Sequence, residues 1–358
     1  MGHSRGMRHD GLLPQSYSFR GPPTPQSPPR RGRFFFSYSH YPCFVNSAFM
    51  RNIPSSGGVA PRNGDGVGGR TDPTVNLPGE GGSMNLRMSW RKNRPDLEAL
   101  LRGGFPSFVL QRNPIGLPGG VPVFCYHAAS PSVIEADFAF LKENGYETIT
   151  ADEVGVSASD RALILTVDDG AHDLYAVLYP ALKQYGFHAT AFVASAFHRD
   201  AYDLSDASRP CTWDELREMD ASGHVNVQAH THSHRYIPNW PEPLDLVGID
   251  KAFTRDIQRE APGTVKEDLA RAKEELESRL KKRVTHLAFP MYTGTVHAIH
   301  DGQDLGYETF WWGTLPGRRA NKPGDPKTHR VRLSAEFIRR LPGKGRIGLG
   351  RILAGRIR

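Results

Sequence analysis

From about Gly119 onward the chain alternates short apolar runs with longer amphipathic ones, and this alternation narrows its possible folds more than any other feature. "VPVFCY", "ALILTV", "HATAFVA", "HVNVQA", "VTHLAFP" and "GYETFWWGT" read as strands, with "ETITADEV" as a shorter one. Between them lie helical patterns. Ile134, Phe138 and Leu141 recur at helical spacing before Gly145, and "DLYAVLYPALKQYG" stops at Gly186 with Pro180 as a potential kink. "TWDELREMDASG" offers Thr212 as an N-cap with Glu215 three residues on, "TVKEDLARAKEELESRLKK" is a long charged helix, and "SAEFIRRL" reads as a last one. Strands alternating with helices imply βαβ units and a parallel sheet. Six or seven such units fit a barrel, closed or slightly open, with its chemistry at the carboxyl ends of the strands.

The first hundred residues have another texture. They hold 14 Gly and 12 Pro, and "GPPTPQSPPR" and "NGDGVGGR" show neither helical nor strand periodicity. Residues 1–117 therefore read as a disordered Gly/Pro-rich basic tail or linker, 118–340 as the folded domain and 341–358 as a basic C-terminal tail. Residues 1–100 carry 13 Lys/Arg against 6 Asp/Glu, and residues 341–358 carry 5 basic groups and no acid. The basic pI thus belongs to the ends. Such tails can hold nucleic acid or anionic lipid, but they more often solubilise, and specific nucleic-acid binding is not expected. Cys43, Cys125 and Cys211 have no CxxC spacing, so neither a disulfide framework nor a thiolate metal site is expected. No signal peptide or membrane-spanning run is visible, even with Met84 or Met88 as the start, which reads as a cytoplasmic protein. Nothing in the sequence specifies an oligomeric state.

"LILTVDDG" drives an apolar run straight into two adjacent acids, Asp168 and Asp169, which repel each other and are costly to bury unpaired. "AHTHSH" offers a counterpart at the end of another strand. His230 and His234, four residues apart, can face one point if the chain turns after the strand, and continued alternation would instead align His230, His232 and His234. A carboxylate with two imidazoles suits a zinc ion and leaves coordination positions open. The other carboxylate can then stand beside the cation as a base.

With these motifs in order, residues 120–340 resemble the polysaccharide deacetylases, the NodB-homology or carbohydrate esterase family four. "TVDDG" is similar to the family's T-F-D-D-G and "HTHSH" to its H-[ST]-x-x-H. The resemblance implies a distorted (β/α) barrel of about seven parallel strands. It also implies a divalent metal, Zn²⁺ first among candidates, held by Asp169, His230 and His234, with Asp168 as catalytic base and His232 at the variable position. The implied reaction removes N-acetyl groups from an N-acetylated polysaccharide or oligosaccharide and releases acetate. Family members usually act on envelope or exported glycans, against the missing export signal.

Elsewhere the family pattern is looser. "LAFPMYTG" is similar to the F-A-Y-P-[YF]-G form of the third motif, with Ala288 where many members place an arginine that pairs with the base. Tyr292 is there a candidate to supply an oxyanion N–H or to wall the sugar pocket. "KTHRVRLSAEF" is similar to an L-P-R-[IV] region with Arg330 at the arginine. His329 is one candidate general acid, and His127, at the end of the first strand, is another. Trp311 and Trp312 near the rim are candidates to stack on sugar, although paired tryptophans are more often core. The alternatives are hydrolysis of another C–N or ester bond, a degenerate glycan-binding domain suggested by Ala288, and an Fe(II) oxygenase, which the second aspartate disfavours.

Overall fold

The computed structural model describes residue 94 and residues 96–357, apart from 115, 118, 155–158, 204, 205, 207, 261 and 262. Most of the Gly/Pro-rich tail, Cys43 included, lies outside the described residues.

In chain order the elements are α1 (Ser107–Leu110), β1 (Val123–Tyr126), α2 (Pro131–Glu143), β2 (Glu147–Thr148) and β3 (Ala162–Asp169). A widened helical turn, Leu174–Leu178, leads into α3 (Tyr179–Tyr185), then β4 (Ala189–Val193), α4 (Trp213–Ala221) and β5 (Val225–Ala229). A small hairpin, β6 (Arg235–Tyr236) and β7 (Glu242–Pro243), precedes α5 (Lys251–Gln258) and α6 (Val265–Leu280). The remaining elements are β8 (His286–Ala288), α7 (Val296–Asp304), β9 (Thr309–Trp312), β10 (Arg330–Val331), β11 (Leu333–Ser334) and α8 (Leu349–Ile357).

All pairings of the main sheet are parallel, in the order β10-β9-β8-β5-β4-β3-β1-β11, with β2 beside β3. The two outermost strands are neighbours in sequence. Only Arg332 separates β10, which pairs β9, from β11, which pairs β1. One split strand therefore bridges both edges of the sheet, and the barrel has seven stave positions, as expected.

Every residue of β3 is buried, as a stave covered on both faces requires. Alternate residues serve different layers. Leu163, Leu165 and Val167 pack outward with helix residues such as Ile134, Phe138, Trp213 and Leu269. Ile164 packs inward with Val123, Phe192, Ala288 and Trp311, which fill the small barrel. Thr212 and Glu215 form the anticipated reciprocal cap on α4, and Gly186 ends α3 at φ +68°.

Several expectations change. "ETITADEV" is a strand only at Glu147–Thr148, because Thr150 and Glu153 cap a single 3₁₀ turn. "SAEFIRRL" is a 3₁₀ segment, Ala335–Arg340. The strands β10 and β11 have no counterpart in the pattern, since two of their five residues including the bend are arginines. The ends also pack further than the boundaries at 117 and 340. Ala99, Phe105, Phe108, Val109, Leu341 and Ile352 belong to the main core. The guanidinium of Arg340 donates to the carbonyls of Val109, Gln111 and Ile347, and that of Arg346 to those of Phe108, Gln111, Arg112 and Arg340. These basic residues staple one end of the domain to the other.

Candidate active site

Strand alternation places Asp168 on the inner face with Ile164 and Thr166, and would send Asp169 to the opposite face. The backbone departs there: Asp169 has φ +75° and Gly170 φ +77°. A non-glycine residue in this region costs about 1–3 kcal/mol and persists only where its surroundings enforce it. Gly170 is required twice over, by its φ and because the His198 ring lies 2.7 Å from where a Cβ would stand.

The bend brings Asp169 to the two histidines. Its Oδ1 lies 3.5 Å from His230 Nε2 and 3.3 Å from His234 Nε2. Oδ2 is already engaged, accepting the Val247 N–H at 2.7 Å. Each imidazole turns its other nitrogen to a carbonyl: His230 Nδ1 is 2.9 Å from Ala288 O, and His234 Nδ1 is 3.3 Å from Leu244 O. A nitrogen beside a carbonyl carries the proton, so the Nε2 lone pairs face Asp169. Asp169 Oδ1 is buried and accepts no hydrogen bond. Three acceptors thus converge within 4.8 Å with no donor between them, which fits a divalent cation. Burial raises the Asp169 pKa, but the facing His234 and His230 imidazoles outweigh it and hold the carboxyl well below the usual range. Burial likewise lowers the His234 pKa, and Asp169 more than restores it, for a net rise.

Asp168 is bound from the other flank of β3, by the strand beyond β1. Arg332, fully buried at the bend between β10 and β11, donates from Nη1 to Asp168 Oδ1 at 2.6 Å. Its guanidinium also lies over the rings of Phe192 and Tyr292. The counter-charge that Ala288 cannot supply therefore comes from the last strand, two residues beyond the Arg330 picked out by the motif. Arg330 is itself buried, and its Nη1 donates to the Lys322 carbonyl. Asp168 Oδ2 faces His230 Nε2 at 3.7 Å and His127 Nε2 at 4.0 Å. Burial pushes the Asp168 pKa up, but Arg332, then His230 and His127, draw it below the ordinary value.

The two candidate acids separate here. His127 stands beside Asp168, and its Nδ1 is 3.4 Å from the Tyr292 hydroxyl. His329 stacks flat on Trp312, with ring centroids 5.5 Å apart, and its Nδ1 pairs with Thr328 Oγ1. Tyr292 has φ +61°, and its N–H, the candidate oxyanion donor, already donates to the Phe289 carbonyl. His232 turns away from the cluster and pairs through Nδ1 with Ser195 Oγ at 2.7 Å. Trp311 is wholly buried inside the barrel, and Trp312 packs on Phe289 with its Nε1 donating to Thr328 O. Cys125 and Cys211 are free, buried thiols, and burial pushes the Cys125 pKa to about 12. Among the described residues no helix is long and apolar enough to cross a membrane.

A parallel barrel with an acid pair and two imidazoles gathered at its carboxyl rim has the build of a barrel hydrolase. Residues 155–310 match the family described as polysaccharide deacetylase. It is 24% identical over 231 residues to YxkH of Bacillus subtilis (strain 168), a polysaccharide deacetylase by designation, covering 61% of this chain and 72% of that one. It is 26% identical over 211 residues to the poly-β-1,6-N-acetyl-D-glucosamine N-deacetylase of Escherichia coli (strain K12), covering 53% of this chain and 31% of that protein. Among solved structures it is similar to IcaB from Ammonifex degensii, with a TM-score of 0.48, 21% identity and coverage of 62% of this chain and 95% of the other.

Proposed function

We propose that this protein is a metal-dependent N-deacetylase of an N-acetylated glycan, in which Asp168 is the base, Asp169, His230 and His234 hold the cation, and His127 is the acid. One observation carries the reading. Asp168 has one oxygen locked by Arg332 and the other turned toward His230 and His127, beside three acceptors that need a cation.

A divalent ion, Zn²⁺ first among candidates, would supply Lewis acidity, drawing charge from an acyl oxygen and bringing the pKa of a water toward about 7. The protein's own groups do the rest. Arg332 keeps Asp168 ionised and fixes its plane, so that Oδ2 is the proton acceptor. The water oxygen bonds to the acetyl carbon, the C–N bond breaks, and a proton from His127 leaves with the amine. The products are acetate and a free amino sugar. Tyr292 stands against His127.

A degenerate, non-hydrolytic domain loses its main support, because Arg332 takes the position that Ala288 leaves open. The curated relatives make poly-β-1,6-N-acetyl-D-glucosamine the first polymer to assay, with chitin oligomers and peptidoglycan alongside. The test is acetate release by wild type and Asp168→Asn, with elemental analysis of both. The variant should retain metal and lose turnover. Metal-loaded wild type that releases no acetate from any of these glycans would overturn the reading.

A further inference from the structure

The hydrogen bonds of the loop that presents the two imidazoles can be followed almost completely. His230 N–H donates to Val193 O, and His234 N–H to Thr231 Oγ1 at 3.1 Å. The carbonyls of Thr231 and His232 accept from Ser195 and Ala196. The groups between are held by two buried side chains that touch neither imidazole. Asp268, on α6 and 1% exposed, accepts the His232 N–H on Oδ1 at 2.8 Å and the Ser233 N–H on Oδ2 at 3.1 Å, with the Ser233 hydroxyl also on Oδ2. Gln258, at the end of α5 and 2% exposed, donates through Nε2 to Ser233 O and His234 O at 3.1 Å each. The same Nε2 lies 2.8 Å from Leu244 O, the carbonyl that faces His234 Nδ1, so its two protons are shared among three carbonyls.

The loop needs such holding. Thr231 at φ +65° and His234 at φ +49° lie in the left-handed region, which non-glycine residues seldom occupy and β-branched ones such as Thr least of all. A pentapeptide with two such residues does not keep this shape unaided. If it relaxes, the His234 ring leaves Asp169.

We propose that Asp268 and Gln258 are positioning residues for the metal centre: one grips the loop by its N–H groups, the other by its carbonyls, and together they preset His234 for the cation. The proposal rests on the assignment of Asp169, His230 and His234 as ligands. It assigns part of the metal affinity to α5 and α6, outside both recognised motifs. Asp268→Asn is nearly isosteric but turns an amide NH₂ toward one of the loop N–H donors. Gln258→Met keeps the volume and removes the donor.

The experiment measures Co²⁺ and Zn²⁺ affinity by chelator competition, the visible spectrum of the Co²⁺ protein, and thermal unfolding of the metal-free protein. Asp220→Asn is the comparator, because Asp220 Oδ1 also accepts a backbone N–H, that of Val227, but serves no ligand. Loss of groups that orient metal ligands typically weakens binding roughly 10–100-fold. Asp268→Asn and Gln258→Met should show a loss of that size with an altered Co²⁺ spectrum, and Asp220→Asn should lose stability with affinity and spectrum intact. If Asp268→Asn does not fold, Gln258→Met carries the same comparison. Wild-type affinity and spectrum in the folded variants would overturn the proposal. A wild type that takes up no cation would instead remove the metal centre itself, an outcome visible before any variant is made.

Discussion

Replacing Arg332 by Met tests whether the guanidinium at the barrel closure is what keeps Asp168 charged. Both partners are buried, with side-chain exposures of 0% and 2%, and they meet at 2.6 Å. Removing one member of such a pair strands the other charge and costs about 3–5 kcal/mol. For a domain of this size each kcal/mol shifts the midpoint by about 2–4 °C, so a loss of about 6–20 °C is expected at neutral pH. The pH dependence has a definite sign. In the wild type, burial raises the Asp168 pKa and Arg332 leads the groups that bring the net value below normal. Its contribution is therefore present above the unfolded carboxyl pKa and lost as pH falls through the lower folded value. Without Arg332 burial has less opposition, the folded pKa rises, and Asp168 protonates at higher pH. The stability deficit should then shrink on acidification, and the acid limb of kcat/KM should move to higher pH. Adding Asp168→Asn should relieve the stranded charge, leaving the double variant more stable than Arg332→Met alone. Chemical denaturation of all four proteins across pH, with pH–rate profiles of the two that retain Asp168, measures these quantities. A single variant within about 1 kcal/mol of wild type and an unshifted acid limb would refute the reasoning.

Two further outcomes follow from the site. His127→Gln should lower kcat by about 10²–10⁴-fold while metal content stays at the wild-type level, whereas His329→Ala should leave kcat within a few-fold, as steady-state acetate release and elemental analysis would measure. Gly170→Ala places a methyl at φ +77° against His198 and should destabilise the protein by about 1–3 kcal/mol, read by denaturant unfolding; unchanged stability would count against the packing described.

Much of the arrangement could be read before any coordinates because it rests on local rules. The β3 run ending in paired acids and the histidines four residues apart announce themselves, since strand alternation and metal-ligand chemistry act over a few residues. The caps at Thr212 and Gly186 are local for the same reason. What escaped depends on distant closure. Arg332 is one of several arginines near the C-terminus, and only the register of β10 on β9 and β11 on β1 turns it toward Asp168. The motif pointed to Arg330, one strand period away, on the same inner face but not at the base. Likewise Asp268 and Gln258 look like ordinary polar residues of charged helices, and their burial arises only when α5 and α6 pack over the loop. In the sequence His127 stands out by position alone, and its 4.0 Å approach to Asp168 requires β1 to lie beside β3.

The split last strand has a consequence for the order in which the working protein is assembled. By residue 234 a growing chain has already made the acid pair and both imidazoles of the candidate site, but the guanidinium that holds Asp168 ionised is synthesised almost a hundred residues later. A chain arrested before that point can gather the ligands, yet it holds a carboxyl that burial biases toward its neutral form. On the proposed mechanism, competence for hydrolysis thus arrives only when the final stave is seated, which ties the onset of turnover to completion of the fold.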